Sequence, residues 1–430
     1  MGFIKKHLLF FLFLLGFLIR FSLIFVNYSW DVNNHMVWAK DFLVRGPQNF
    51  YETQSSNVFA SATPNYPPLA IFIFVVMRFL QPLIHNLYWW LNLHVQLVPS
   101  NVIFFLEKTE FLAGLMKIPG VVADLGIAYL VFLLTKKGKF IAVSLILFNP
   151  VFIYNSSLWG QIDSIPVFFV LFSVYLLFYF KKAVLSAVLF TLALLIKPTA
   201  LVFLPVYAVL FIKIFGLKKS IINLFVANIV FCLAFLPFIK GRNIFLYPYT
   251  VYSKGVLAAQ SLPYVTNGAF NFWVFVTGLK GIKDTAPFLL GISYRLFGYV
   301  IVGLINLFVV FRIFKSKNKK ETLFTALSIS ALTAFLFLTK IHERYSLLPL
   351  SFLLLASLKK PKLIGLFIII SITSLFNHYR SWSVPAIMPI INLFNSMFFI
   401  FSISLINLLI FFYLMRYFFC NLTKLKNLIN

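Results

Sequence analysis

Only ten of the 430 residues are acidic, and one of them heads a pattern suited to hydroxyl chemistry. In SWDVNNHMVWAKDF a helix would set Asp31, Asn34, His35 and Trp38 at i, i+3, i+4 and i+7, on one face. A carboxylate beside an amide, an imidazole and an indole can hold a sugar hydroxyl and take its proton in a partly desolvated site. An acid at a helix start also has a purely structural use, because it favours the helix dipole; the pattern supports both uses equally. The densest cluster is TKIHERYSLL, where Lys340, His342, Glu343, Arg344 and Tyr345 stand between two apolar runs. Three prospective cations in five residues suit a phosphate, and the arginine fork suits it best. Glu343 would orient or neutralise Arg344. Lys197, alone in LLIKPTALVFLP, is expected to join these cations, with snorkelling as its plainer use.

Other short motifs carry weaker signals. NYPPLAIF, with Tyr66, reads as a loop entering a helix, since proline fits the first helical turn. MKIPGVVADLG places Lys117 and Asp124 two turns apart on one face, where satisfying polar partners inside a bundle is the favoured role for Asp124. In YNSSLWGQIDS, Trp159, Gln161 and Asp163 follow one another around Gly160, an arrangement fit to rest a sugar or a headgroup, although interfacial belts also collect tryptophan. Arg20 and Arg295 are expected to reach the outer interface or a lipid phosphate. Cys232 and Cys420 read as small buried hydrophobes. No zinc-type spacing, Walker loop or GxGxxG occurs, and neither does GxSxG or DxD.

The elements that must position these residues are membrane helices. Hydrophobic side chains make up 61% of the chain and charged ones 11%, where a soluble domain carries about a quarter charged. Fourteen apolar runs can be marked, at 8–26, 69–84, 97–115, 120–135, 140–158, 164–180, 183–196, 199–215, 221–239, 286–313, 322–339, 346–358, 362–376 and 391–415. The run after MGFIKKH leads into NYSWD without a small-residue cleavage site, so it reads as a retained anchor. Lysine clusters at 5–6, 136–139, 181–182, 213–219, 315–320 and 359–362 separate successive pairs of runs. With each cluster on the cytoplasmic side, as the positive-inside rule requires, all fourteen runs alternate without conflict. The formal charge of +27 is then a topology signal that also attracts anionic lipids, and the short loops offer no basic face for nucleic acid. The ambiguous stretch is 85–116, which could lie in the interface.

The expectation is an all-α polytopic bundle of about 12–14 membrane segments, with interfacial helices on a long first outer loop, 27–68. Residues 1–240 would form a catalytic membrane module, 241–285 an outer loop with acceptor contacts, and 286–430 the C-terminal helices. Polar residues gather at the outer ends of the runs, which favours surface chemistry over a transport pathway through the bilayer.

In order, the acid after the first anchor, YPPL, KIPGVVADLG, WGQIDS, IKPTALVFLP and HERY resemble the GT-C superfamily of integral-membrane glycosyltransferases. The nearest likeness is to bacterial mannosyltransferase-like members akin to GPI mannosyltransferase II. A more distant one is to dolichyl-phosphate-glucose glucosyltransferases, and the likeness runs over about residues 1–350. It implies an inverting hexosyltransferase, mannose or glucose being the sugar, that draws on a polyprenyl-phosphate donor and a glycan, lipid or protein acceptor. It also implies a site on the outer face of a bacterial cytoplasmic membrane, with the N-terminus inside. Asp31 matches the first-loop acid that serves as general base. His342, Glu343 and Arg344 match HERY, with Lys340 just before it, and the basic members fall to the donor phosphate. Val32 and Asn33 follow Asp31, so the acidic pair of some branches is missing and a divalent metal loses its usual ligands; no other cofactor is called for. A flippase of lipid-linked sugars, or a polysaccharide polymerase or ligase, is the competing expectation.

Overall fold

A computed structural model describes residues 2–56, 58, 63–259, 262–316, 319–358 and 360–420. Five residues of the expected first outer loop lie outside that set, as do Lys317, Lys359, Lys424 and Lys426 of the basic clusters. The chain is an all-α membrane bundle. Its helices are α1 (Gly2–Leu23), α2 (Trp30–Arg45), α3 (Pro68–His94), α4 (Ser100–Glu107), α5 (Thr109–Leu134), α6 (Lys139–Leu147), α7 (Pro150–Ile153) and α8 (Ser164–Tyr175). They continue with α9 (Ala183–Ile196), α10 (Leu204–Phe215), α11 (Leu217–Ala234), α12 (Leu246–Thr250), α13 (Trp273–Thr277) and α14 (Tyr294–Lys315). The last are α15 (Lys319–Phe337), α16 (Leu350–Ser357), α17 (Ile364–Ser381), α18 (Met388–Asn395) and α19 (Met397–Cys420). Among the described residues, seven stretches are long and apolar enough to cross a membrane, and four shorter apolar helices accompany them. The strands among these residues are β1 (Thr266–Asn267), parallel to β4 (Ile341–His342), and a hairpin of β2 (Pro287–Leu289) with β3 (Ile292–Ser293).

Contacts sort the helix ends into two groups. At one end, the Lys213 ammonium donates to the carbonyls of Ile313, Phe314 and Ser316, and Arg312 reaches the carbonyl of Phe418. Thr135, Lys136, Tyr179, Phe324 and Leu358 line one shared depression there. At the opposite end, the Lys117 ammonium donates to four carbonyls, those of Ile24, Asn27, Ser157 and Leu158, and β1 pairs with β4. The described basic clusters therefore sit at one end and the chemistry-bearing motifs at the other.

This sorting corrects one expected crossing. Run 97–115 divides between the eight-residue α4 and the first turns of α5, while run 69–84 falls on α3, whose contacts lie at the motif end. Phe74 stacks on His35, Gln81 donates to the carbonyl of Leu106, and Phe105 packs edge-on against Phe25, just beyond α1. α3 has the length and hydropathy of a span, but Arg78, Gln81 and His85 interrupt it with polarity that suits an interface.

The interior is apolar, and its deepest charges are paired or, as at Lys117, met by carbonyls. One large cluster of buried Leu, Val, Ile and Phe joins α5, α6, α8, α10, α15 and α16. Within it Arg20 donates to Asp124 at 3.0 Å, and both side chains are fully buried. Ser156 and Ser164 also donate to Asp124, at 2.7 and 2.5 Å, and Arg20 caps the carbonyls of Gly16 and Leu147. A buried charge is tolerable only when paired and hydrogen-bonded in this way. Arg20 thus does not reach the interface. Arg295 is bound bidentately by Asp284 at 2.7 Å, with Thr339 adding a third donor to that carboxylate; unlike Arg20, its side chain stays 37% exposed.

Candidate functional site

The first wall of the site is α2. Ser29 caps its N-terminus by accepting from the Val32 amide, and the same hydroxyl donates to the carbonyl of Trp159. That double contact fastens the helix start to the turn after α7, a favourable use of serine at this position. Gly160 makes the turn at φ +81°, and a Cβ there would lie 2.3 Å from Val32; only glycine fits both the angle and the space. Beyond the turn, the Gln161 amide donates to Asp31 Oδ2 at 2.7 Å. His35 stacks on Phe74 at 4.0 Å and stands edge-on to Tyr66. The Pro67–Pro68 entry to α3 carries Tyr66 into that position, its extended cap leading directly into helix.

The second wall is the segment after α15. Lys340 adopts φ +62°, β4 pairs with β1, and a 3-10 turn over Glu343–Leu347 then directs Glu343, Arg344 and Tyr345 inward. The Arg344 guanidinium lies 3.9 Å from both Asp31 and Asp163 and 3.6 Å from Glu343. It also rests near the rings of Trp159 and Tyr345, at 5.9 and 5.6 Å. These separations are long for ion pairs, and Arg344 Nε has no hydrogen-bond partner. The arginine is therefore attracted by three carboxylates and hydrogen-bonded tightly to none, a geometry that leaves its donors for a ligand.

Between the walls is a cleft of about 460 Å³. It gathers nine of the residues singled out from sequence: Asp31, Asn34, His35, Trp38, Tyr66, Trp159, His342, Glu343 and Arg344. Gln161, Asp163, Lys197 and Tyr345 pack directly behind them. The Asp31 side chain is 30% exposed, so it meets the cleft while Asp163 does not.

Burial pushes the Asp31 carboxyl up, but Arg344, His35, Gln161 and His342 together outweigh it and hold the group below its ordinary value. Asp31 is thus a carboxylate throughout the neutral range. His35 is pulled down to about 3, by burial first and then by Lys197 and Arg344 against the opposing pull of Asp31. Burial and Arg344 also lower His342, so both imidazoles are neutral near pH 7. Burial works against the Arg344 cation, yet Asp31, Tyr345 and Glu343 raise it well above its usual value.

Three expected site residues lie elsewhere. The Lys340 ammonium donates to the carbonyl of Ala258 at 2.9 Å and does not line the cleft; its positive φ turns it away from the direction that Arg344 takes. Lys117 is consumed by its four carbonyls, and Asp124 by Arg20 and two serines. Lys197 is adjacent but buried: its ammonium is bound to Asp163 at 2.5 Å, with both side chains inaccessible. It holds the floor of the site and is not free to bind an anion. His342, neutral, contributes hydrogen bonds and not charge. Of the expected cations, Arg344 remains as the charged group in the cleft.

No protein-family model matches this chain, and no curated protein matches it. The site must speak for itself.

Sequence reasoning passed over several cleft residues. Trp30 and Asn65 flank named motifs, and Trp382, after α17, reaches the cleft. Its placement follows from a hydrogen bond that runs from the Tyr154 hydroxyl to the carbonyl of Trp382, a contact across more than two hundred residues. His378 was missed too; it meets the Asn155 amide at 3.2 Å and lies edge-on to Trp159. Only their position beyond a helix end, among aromatics, could have signalled them. Among the described residues no three His, Cys, Asp or Glu side chains gather as metal ligands.

Proposed function

We propose that this protein is an inverting glycosyltransferase that moves a hexose, mannose or glucose, from a polyprenyl-phosphate donor to an acceptor hydroxyl at the outer face of a bacterial cytoplasmic membrane. The observation that carries the reading is the pairing of one ionised, partly exposed carboxylate with one hydrogen-bond-hungry guanidinium, 3.9 Å apart at the mouth of a membrane bundle. The likeness of the ordered motifs to the GT-C superfamily supports it. So does the gathering of the described basic clusters at the far end, which supports a cleft on the outer face under the positive-inside rule.

The chemistry then follows from charge. The acceptor hydroxyl gives its proton to Asp31 as its oxygen attacks the anomeric carbon. The bond from that carbon to the phosphate oxygen breaks, and its electron pair leaves with the polyprenyl phosphate, which goes from a singly to a doubly charged anion. Attack opposite the departing phosphate inverts the centre. Arg344 meets the new charge, and a preorganised cation acts most where charge develops during the reaction. As Arg344 turns to the phosphate it releases Asp31 from part of the field that depresses its basicity. The donor thereby raises the base strength of the carboxylate it needs.

Purified protein in nanodiscs, given labelled mannosyl and glucosyl polyprenyl phosphates with candidate acceptors, tests this directly. Sugar transfer that is lost in Asp31→Asn supports the proposal. Movement of intact lipid-linked sugar between leaflets, with no transfer, would replace it with a flippase.

A further inference from the structure

Beyond the reaction itself, the cleft divides into two chemically different halves. On the side of Arg344, the buried atoms without partners are two donors that line the cleft, Arg344 Nε and Trp382 Nε1, with one acceptor, Asp163 Oδ2, packed behind the guanidinium. On the side of α2 they are mixed. Both ring nitrogens of His35 and the Trp38 indole nitrogen have no hydrogen-bond partner, and neither does Asn65 Oδ1. Side-chain orientation is fixed at the amides that bound this half. Asn65 donates its nitrogen to the carbonyl of Ala259 at 3.0 Å, which turns its oxygen to the open side. Gln161 donates to Asp31, which likewise leaves Oε1 over. His35 and Trp38 are 0% and 1% exposed, so water cannot reach these atoms freely, and buried polar groups without partners are costly.

We infer that the α2 half of the cleft is a subsite for the acceptor, and that the acceptor group it takes is an uncharged sugar. The inference rests on the transferase reading and names the substrate class on its acceptor side. A hydroxyl both donates and accepts, so adjacent sugar hydroxyls can satisfy the indole, either imidazole nitrogen and the amide oxygens together. A phosphate or carboxylate only accepts; it would leave the amide oxygens unpaired and would face the Asp31 carboxylate. An ammonium only donates and would leave the indole unpaired. The ring of Tyr66, edge-on to His35 and lining the cleft, adds an apolar wall for the C–H face of a sugar, while Phe74 backs His35 from within. A neutral imidazole supplies one donor and one acceptor, and burial keeps His35 neutral. His35 lies one helical turn from Asp31, so a hydroxyl held by the imidazole brings its neighbour to the base.

Ligand-observed NMR on the protein in nanodiscs tests the subsite without requiring turnover. The probes are methyl α-mannoside, methyl α-glucoside and methyl glucuronide, with sugar transfer from polyprenyl phosphate measured on the same preparations. The neutral glycosides are expected to bind and the glucuronide to be excluded, and His35→Phe is expected to weaken glycoside binding about tenfold. Trp38→Phe serves as a second variant should His35→Phe misfold. Failure of the neutral glycosides to bind, equal binding of the glucuronide, or wild-type affinity in both folded variants would overturn the subsite. Glycoside binding without transfer would overturn the transferase and leave the subsite standing; transfer with acceptor KM unchanged in His35→Phe would do the reverse.

Discussion

Asp31 stays ionised because Arg344 foremost, with the Gln161 hydrogen bond, opposes its burial, and this makes its pH dependence predictable. Asp31→Asn keeps the shape and removes the proton acceptor, so transfer should fall by about 10²–10⁴-fold with the melting temperature unchanged; labelled-sugar transfer and a thermal melt check both. Gln161→Leu removes a hydrogen bond that holds the carboxylate down. The Asp31 pKa then rises, and the acid limb of the kcat/KM profile should move to higher pH, which a pH–rate series would read. Arg344→Ala should raise the donor KM more than the acceptor KM. Lys197 carries a different expectation. Lys197→Met leaves Asp163 buried and unpaired, a loss of about 3–5 kcal/mol, so folded yield should collapse before any change in KM could be read. A sequence shows Arg344, Lys340 and Lys197 as equal cations; only their directions distinguish them. Lys197 looks solitary because its partner is thirty-four residues away.

Helices position these groups through a few contacts at their ends. α2 is seated by Ser29 on Trp159 and by the absent side chain of Gly160, whose neighbours leave no room for a methyl group. Gly160→Ala should cost about 1–3 kcal/mol from overpacking and shift Trp159 and Asp31 relative to Arg344, lowering the melting temperature and kcat together. The face of α2 was legible in advance, because i, i+3, i+4 and i+7 spacing needs nothing beyond helical geometry. The walls contributed by α17 and Trp382 were not legible. No local rule connects a tryptophan after one helix with a tyrosine hydroxyl more than two hundred residues earlier. α3 shows the same limit: its length and hydropathy satisfy the requirements of a span, and the contacts of Gln81 and Phe74 at the motif end emerge only from the tertiary structure.

At the scale of the molecule, charge separates along the bundle axis. In a chain with Cys232 and Cys420 replaced, Asn49→Cys and His85→Cys should both react with an impermeant thiol reagent from one side of the membrane. Lys182→Cys should react only after permeabilisation. Labelling of His85→Cys from the side opposite Asn49→Cys would show α3 to be a crossing. The bundle tolerates the deep ion pair of Arg20 with Asp124 because two serines and two carbonyls add hydrogen bonds to it, leaving Arg20 Nη2 without a partner.

Composition, run length and the spacing of the lysine clusters determined the all-α membrane class, since a bilayer admits few structures and punishes stray charge strongly. The same strictness made the acids few and gathered many of the cations into lysine clusters, so Asp31 and the HERY cluster could be picked out by rarity and position. The tertiary structure alone decided which cations are spent on protein partners and which one faces the cleft. That outcome depends on which carbonyls and carboxylates come within hydrogen-bond reach, and residues distant in sequence supply nearly all of them.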